Sequence, residues 1–250
     1  MKKSIIFFLI VILGFTLSVF AQEFEQLIAE GDSISKTMAS MAEAKEAKAK
    51  YEQALQLEGD KYEVYWGLSR ILYYIGDHTA DKKMKQEIFQ QGIDYAKKAI
   101  ELEPGRPDGY YWLGVNYGLF GEAKGILKSL SLVGPIKEAM QKIIEIDRSY
   151  EDGGADRVLG RMFYRLPGFA GGNKQKSLLH LRKSKEFGPS DPVTRVYLAE
   201  TLMALRRYDE AKEELEFVIN MEDDPSWMSG VSEQKKRASE LLRKKVFQKR

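Results

Sequence analysis

The chain has 250 residues, with 39 basic and 37 acidic side chains, a formal net charge of +2 and no cysteine. Without cysteine it has no disulfide and no thiolate chemistry. Its nearly balanced charge argues against nucleic acid as a partner, because phosphate binding requires a basic surface. The two histidines, His78 and His180, lie far apart in the sequence without a metal-ligand pattern around them, so we expect no metal and no cofactor.

The N-terminus has the organisation of a signal peptide. Two lysines precede an apolar run from Ile5 to Phe20, and small residues precede the expected cleavage point. The run of 16 residues is short for a membrane-spanning helix, which needs about 20. We predict that residues 1–21 are a signal peptide cleaved near Ala21. The product would then be periplasmic or secreted, with no stable membrane span; retention of the segment as an anchor is the alternative.

Residues 22–231 repeat one pattern about five times. In each copy a small residue stands beside large apolar residues at the point where two helices must cross, as at Gly114, Gly160 and Ala199. A small residue at the crossing lets two helices pack at a separation of about 8–10 Å. Each resulting hairpin leaves an apolar face that only the next hairpin can cover, and this favours a solenoid.

Proline placement supports an entirely helical chain. All seven prolines lie at predicted breaks between helices, where the missing N–H and the ring clash do no damage. Pro189 and Pro225 are 36 residues apart, close to the period of about 34 in tetratricopeptide repeats. We predict an all-α fold: a right-handed superhelix of antiparallel helix hairpins, a tetratricopeptide-like solenoid. Residues 232–250 should form a C-terminal capping helix and a basic tail.

Three segments depart from the plain repeat: residues 78–88, 122–135 and 165–173. Insertions in a solenoid emerge on one face, often where partners bind. The second segment contains four side chains that are too apolar for a solvated loop: Ile126, Leu127, Leu130 and Leu132.

The third segment is rich in glycine but lacks the spacing of a phosphate-binding loop. Asn173 and Gln175 stand where that loop needs Gly and Ser or Thr. Gly171 and Gly172 form either a backbone nest for an anion or a purely structural turn. No nucleophile–base arrangement or paired catalytic carboxylates can be recognised, so we predict that the protein is not an enzyme and has no catalytic residues.

Aromatic and basic side chains recur where the first helix of a hairpin faces the concave side of a solenoid. A groove lined by Trp, Tyr and Arg offers rigid apolar area and paired donors for carboxylates. Ordinary packing between repeats is the alternative, and Tyr110, Tyr117 and Phe163 are expected in the core. The candidate partner- or ligand-binding residues are Trp66, Arg70, Tyr73, Tyr111, Arg157, Arg161, Tyr164 and Arg165.

The arginines of this set are concentrated on one predicted helix. Arg157 and Arg161 are four residues apart and share a helix face, which Arg165 continues. These guanidinium groups repel one another unless an anion balances them. The balancing group is either an internal acid such as Asp156 or Glu200, or a carboxylate-rich partner segment or anionic ligand head group.

One stretch carries a family resemblance. The helix Arg157-Val-Leu-Gly-Arg161 and the turn Leu166-Pro-Gly-Phe-Ala-Gly-Gly172 resemble the tetratricopeptide T-component that accompanies some TRAP-type solute transporters. The resemblance implies a periplasmic, non-enzymatic, trimeric helical-repeat protein that associates with a substrate-binding subunit. The cysteine of a lipid-anchor signal, common among T-components, is missing here. The turn positions carried over by the resemblance are Leu166, Pro167, Gly168, Gly171 and Gly172.

A weaker likeness runs to eukaryotic regulators of microtubule dynamics, which have a related repeat core. The bacterial-style signal peptide argues against that cell biology.

Two functional hypotheses follow from the sequence. The first is a non-catalytic periplasmic scaffold whose concave face binds another envelope protein, such as a solute-binding transporter subunit. The second is a carrier of a small apolar or anionic ligand in a pocket roofed by the inserted segments, above all residues 122–135.

Overall fold

The computed structural model describes residues 21–38, 40–58, 60–222, 231–244 and 247. The predicted signal peptide, apart from its last residue, and most of the predicted basic tail lie outside these residues. Within them the regular secondary structure is entirely helical, and no helix is both long and apolar enough to cross a membrane.

The helices are numbered in chain order. The described part of α1 covers 21–37. The others are α2 (Met41–Glu58), α3 (Tyr62–Asp77), α4 (Lys82–Leu102), α5 (Pro107–Lys124), α6 (Ile126–Ser131), α7 (Val133–Asp147), α8 (Tyr150–Arg165), α9 (Lys174–Phe187), α10 (Pro192–Ala204), α11 (Tyr208–Ile219) and α12 (Val231–Leu242), with a 3₁₀ turn at Gly168–Ala170.

The helices pair into successive hairpins. Helices α3 and α4, α5 and α7, α8 and α9, and α10 and α11 pack against each other, and each hairpin packs on the next. Helices α1 and α2 share one apolar cluster and form the first hairpin. Helix α12 packs on α10 and α11 and buries Ala238 and Leu241. The predicted helical-repeat solenoid is confirmed.

Small residues at the crossings explain how closely the helices approach. A Cβ atom added to Gly114 would lie 2.3 Å from Met140 Cε, and one added to Gly160 would lie 2.5 Å from Leu181 Cγ. Met140 and Leu181 are fully buried. A larger residue would therefore force the paired helices apart or displace a core side chain.

Local sequence signals fix the helix starts. Asp81 accepts a hydrogen bond from the Met84 N–H, and Asn173 accepts one from the Lys176 N–H. These side chains satisfy N–H groups that have no partner within the helix. Pro107 and Pro192 stand in the first turns of α5 and α10, where proline costs no hydrogen bond.

The inserted segments differ in part from the expectation. Residues 82–88 extend α4, so only 78–81 form a loop. Residues 122–135 contain the short helix α6. The four apolar side chains of this segment are expected to avoid water, and this expectation is wrong for two of them. Ile126 is 58% exposed and Leu127 is 82% exposed, whereas Leu132 is buried. Because α6 has only six residues, it cannot turn all its apolar side chains onto the neighbouring helices.

Candidate partner-binding groove on the concave face

The first helices of successive hairpins line a groove of about 990 Å³ on the concave side. Six of the eight candidate residues lie on its wall: Arg70, Tyr73, Tyr111, Arg157, Arg161 and Arg165. The other two lie next to wall residues. The Trp66 ring centroid is 4.7 Å from the Arg70 guanidinium, and the Tyr164 ring centroid is 5.4 Å from that of Arg161. The structure thus brings the predicted set together; its role in binding stays a prediction.

An aromatic cluster forms the centre of the wall. Ring centroids are 5.6 Å apart for Tyr73 and Trp112, 5.0 Å for Tyr111 and Trp112, and 5.7 Å for Tyr111 and Tyr150. Tyr111 is only 5% exposed and Trp112 only 4%. Tyr111 therefore fits both interpretations offered by the sequence, since it packs between repeats and also borders the groove.

Tyr110 and Tyr117 are expected in the core but are less buried than Tyr111. Tyr110 and Tyr117 are half-buried, whereas Phe163 is buried as expected. Of these three, only Phe163 belongs to the fully packed core. The one-residue difference between positions 110 and 111 turns the side chain by about 100° around the helix, so a small error in the inferred register exchanges the two roles.

Three buried donors on or beside the wall have no hydrogen-bond partner among the described residues. They are Trp66 Nε1, Arg70 Nε and Trp112 Nε1. Buried donors without acceptors are uncommon in folded proteins. Their concentration around this groove sets the site apart from the rest of the described core.

Arg157 is held inside the protein rather than left for a ligand. It donates to Asp191 Oδ2 at 2.6 Å and to the Tyr111 hydroxyl at 2.7 Å. Although burial alone would lower it, the Asp191 carboxylate and Tyr111 raise the pKa of Arg157 well above its ordinary value. Burial raises the pKa of Tyr111 to about 12, against the effect of Arg157. Asp191 also caps α10 by accepting from the Thr194 N–H.

The remaining groove arginines also have internal acids. Arg161 pairs with Glu200, and Arg237 of α12 approaches the other oxygen of Glu200 at 2.7 Å. Arg165 lies 3.3 Å from Glu122. The sequence left open whether internal acids or a ligand balance these charges, and the structure shows that internal acids do.

Of the two acids considered for that role, Glu200 fills it and Asp156 does not. Asp156 is buried and accepts from Arg148 Nε at 2.8 Å, and its other oxygen lies 2.7 Å from His180 Nδ1. Burial opposes ionisation, but the hydrogen bonds from His180 and Arg148 hold the pKa of Asp156 below its ordinary value. This cluster joins α8 to α9 rather than serving the groove.

Arg70 follows the same pattern at the opposite end of the groove. It donates to Asp32 Oδ1 at 2.7 Å and to the Tyr51 hydroxyl at 2.8 Å. Burial raises the pKa of Tyr51 to about 12. The Arg70 side chain is only 12% exposed, so little of its guanidinium is accessible to a ligand.

Glu151 is a groove residue that the sequence reasoning missed. Glu151, Asp152 and Gly153 have left-handed backbone angles, with φ of 51°, 55° and 72°. Such a conformation costs roughly 1–2 kcal/mol for a residue with a Cβ atom. Glu151 is solvent-exposed at the groove wall. Partial desolvation there raises the pKa of its carboxyl, while Arg157 and Arg70 oppose this effect. The pair of glycines at 153 and 154 is the signal that could have indicated the turn.

The groove wall also includes Trp112, Tyr197 and Arg237, which are not among the eight candidate residues. The Tyr197 ring centroid is 4.3 Å from the Arg161 guanidinium and 5.4 Å from that of Arg237. Tyr197 stands on the first helix of the fifth hairpin, so the repeat register could have found it. No sequence signal indicates a groove position for Arg237, because residues 232–250 lie outside the repeats and predict only a capping helix with a basic, solvent-exposed tail.

The glycine-rich turn after α8 is structural. The Gly172 N–H donates to Pro167 O at 3.0 Å and the Gly171 N–H donates to Gly168 O at 3.0 Å. Since both N–H groups are occupied, the alternative of an anion-binding nest is wrong. A Cβ atom at Gly172 would lie 1.9 Å from Leu166 O, so this position requires glycine.

In the part of the chain that the structure describes, no group of three His, Cys, Asp or Glu side chains could hold a metal ion.

Comparison with known proteins identifies the family. The family model described as regulator of microtubule dynamics protein 1-3 matches residues 27–167. The chain belongs to this family. The matched region runs from α1 through α8 and includes the six candidate residues on the groove wall. The family match corresponds to the weaker of the two sequence resemblances; the relation to transporter T-components stays a prediction. No curated protein sequence matches the chain.

Solved structures share the fold. The tetratricopeptide protein TTC0263 of Thermus thermophilus superposes with a TM-score of 0.66 at 15% identity, covering 88% of this chain and 98% of that one. PilF of Pseudomonas aeruginosa superposes with a TM-score of 0.55 at 14% identity, covering 92% and 97%. Identities this low show the tetratricopeptide fold alone.

Proposed function

We propose that this protein is a non-catalytic scaffold that binds a segment of another envelope protein in the concave groove. The groove, with its aromatic centre and arginine rim, is the observation that carries the proposal. Tyr, Trp and Arg side chains dominate the binding energy of protein interfaces because they provide large contact area with few degrees of freedom. The tetratricopeptide fold presents such a surface along its whole concave side.

The partner contacts that we propose differ from those first expected of the arginines. Each groove arginine already has an internal acid, so a partner carboxylate would have to compete for the guanidinium or share it. Sharing is feasible because a guanidinium has five N–H donors, and Arg161 is 20% exposed. We propose that partner side chains stack on Tyr73 and Tyr197, the half-buried rings of the groove wall, while acidic or carbonyl oxygens take the remaining arginine donors.

Arg161→Ala tests the proposal. It should abolish partner binding while leaving helicity and melting nearly intact, because Glu200 keeps its ion pair with Arg237 at 2.7 Å. Loss of a central arginine contact costs about 2–4 kcal/mol of binding. The assay is affinity capture from envelope extract followed by mass spectrometry, and calorimetry once the partner is known. The matched control is Arg182→Ala, which removes an exposed arginine that pairs with Glu210 outside the groove. Normal binding by Arg161→Ala would contradict the proposal.

We propose that the protein is exported, cleaved after Ala21 and periplasmic. N-terminal sequencing of protein from a periplasmic extract should begin at Gln22. A chain that still begins at Met1 in the membrane fraction would contradict this proposal. By the resemblance to T-components, the partner would be a solute-binding transporter subunit and the protein a trimer. The name of the family concerns microtubule dynamics. We propose that this chain shares the repeat fold with the family but not that role, because an exported protein does not meet tubulin.

The carrier hypothesis remains the second candidate, and the volume of the groove favours it. A volume of about 990 Å³ lies at the upper end of the range of about 300–1,000 Å³ for small-molecule sites. Ile126 of the inserted helix α6 lies on its wall. Native mass spectrometry of the purified protein separates the two hypotheses: a retained metabolite or lipid supports the carrier, and a stoichiometric protein partner supports the scaffold.

A further inference from the structure

Two inserted segments lie side by side at one edge of the solenoid. Helices α5 and α8 are first helices of successive hairpins and run in the same direction, so the segments that follow them emerge at the same edge. Arg165 Nε, at the end of α8, lies 3.3 Å from Glu122 Oε1, near the end of α5. We call residues 122–131 and 165–176 together the insertion edge.

The insertion edge exposes three large apolar side chains to solvent. Phe169 is 87% exposed, Leu127 is 82% exposed and Ile126 is 58% exposed. Folding leaves most of their surface in water. Large apolar side chains grouped on the surface of a soluble protein mark interaction sites.

The charge of the insertion edge is strongly positive. It contains five basic side chains and one acid, and that acid, Glu122, pairs with Arg165. Lys124 and Lys128 are exposed and lie 5.6 and 5.7 Å from the centroid of the Phe120 ring. Lys176 is exposed on the other segment. The insertion edge thus combines exposed apolar side chains with exposed cations.

We propose that the insertion edge docks on an anionic lipid surface, with Leu127 and Phe169 entering the interface and the lysines facing the lipid phosphates. Apolar side chains on a basic background are the composition of interfacial membrane anchors. Charge complementarity selects this occupant over a second copy of the chain, whose insertion edge carries the same positive charge. The proposal does not depend on the function assigned to the groove.

Single-cysteine labelling tests the proposal in the full chain, because the protein has no native cysteine. Leu127→Cys and Phe169→Cys are each labelled with an environment-sensitive fluorophore. The matched control is Leu102→Cys; Leu102 is 43% exposed and is the last residue of α4. The start of α4 lies beside the end of α5, where Gln86 contacts Ala123. Leu102 is about 30 Å further along α4, at the opposite edge of the solenoid. Vesicles of phosphatidylcholine alone are compared with vesicles that also contain phosphatidylglycerol.

The expected result is a blue shift and a several-fold rise in emission at 127 and 169 on the anionic vesicles, with no change at 102. Local probes report docking even if the apolar N-terminal run also inserts. Removing Lys124 and Lys128 by Lys→Gln substitution should weaken the response by about fivefold for each lysine.

Three results would overturn the proposal. The first is the absence of a response at 127 and 169. The second is an equal response at 102 and at the insertion edge. The third is a concentration-dependent response without vesicles, which would assign the insertion edge to contacts between copies of the chain.

Discussion

Gly172 offers the sharpest test of the turn that closes the fourth hairpin. In Gly172→Ala the new Cβ atom would lie 1.9 Å from Leu166 O and 2.9 Å from Pro167 O. Both are backbone atoms, so no side-chain rotation relieves the clash and the turn must open.

The cost follows from the contacts that opening would break. The Gly172 N–H donates to Pro167 O and the Asn173 N–H donates to Phe163 O, each at 3.0 Å; Asn173 also caps α9. Two backbone hydrogen bonds contribute about 1 kcal/mol each, and an N-cap contributes about 1 kcal/mol. Loss of all three lowers the free energy of unfolding by about 3 kcal/mol, or Tm by about 6–12 °C for a chain of this size.

Gly168→Ala is the matched control in the same turn. No atom lies within 4 Å of a Cβ atom at this position, and its φ is not in the left-handed region. Its Tm should stay within about 2 °C of the parent. Thermal unfolding followed by circular dichroism compares the two variants. Equal melting of Gly172→Ala and Gly168→Ala would refute the structural role assigned to this glycine.

Three further predictions concern a helix crossing in the core, the buried Asp156 and the exposed groove residue Glu151. Gly114→Leu should reduce the free energy of unfolding by about 1–3 kcal/mol, because a Cβ atom at this position would lie 2.3 Å from Met140 Cε. The control Gly118→Leu should leave stability unchanged, since no atom lies within 4 Å of a Cβ atom there. Urea denaturation compares the two variants. Asp156→Asn should cost about 1.5–3 kcal/mol at neutral pH. The pKa of Asp156 is lowered on folding, so its contribution is present above its ordinary pKa and disappears as the pH falls through the lowered value; a pH series of urea titrations should show the gap to the parent closing in acid. Glu151→Gln should be more stable than the parent at neutral pH, because a raised pKa means that the ionised form destabilises the fold. The same pH series should show this gain shrinking as the pH falls through the raised pKa and absent below the ordinary pKa of glutamate.

The fold could be predicted because its determinants are local and recur. Gly114 and Gly160 mark crossings in different hairpins by the same small-residue signal, and prolines mark the breaks. Helix α6 could not be predicted in this way, since it interrupts the repeat. Its exposed Leu127 contradicts the usual assignment of apolar residues to the core.

The membership of the groove could be predicted, but its chemistry could not. Counting positions on a helix places Arg157 and Arg161 on the concave side. Their partners are 34 and 39 residues further along the chain, about one repeat away. Only the stacking of one hairpin on the next brings Asp191 and Glu200 opposite these arginines. The sequence could therefore offer Glu200 as one candidate acid, but it could not decide between an internal acid and an external anion.

Pairing with acids one repeat away means that a groove arginine can both join adjacent hairpins and contact a partner. One further substitution separates these two roles. Arg161 joins adjacent hairpins through Glu200 and also borders the groove. Glu200→Gln removes an acid shared by Arg161 and Arg237, so it should lower Tm more than Arg161→Ala, which leaves one of the two pairs intact. It also frees guanidinium donors, so it should retain or strengthen partner binding, whereas Arg161→Ala should lose it. Melting and capture assays should therefore rank the two variants in opposite orders. If Glu200→Gln instead loses the partner as completely as Arg161→Ala, then the ion pair acts by positioning the helices, and Arg161 does not contact the partner.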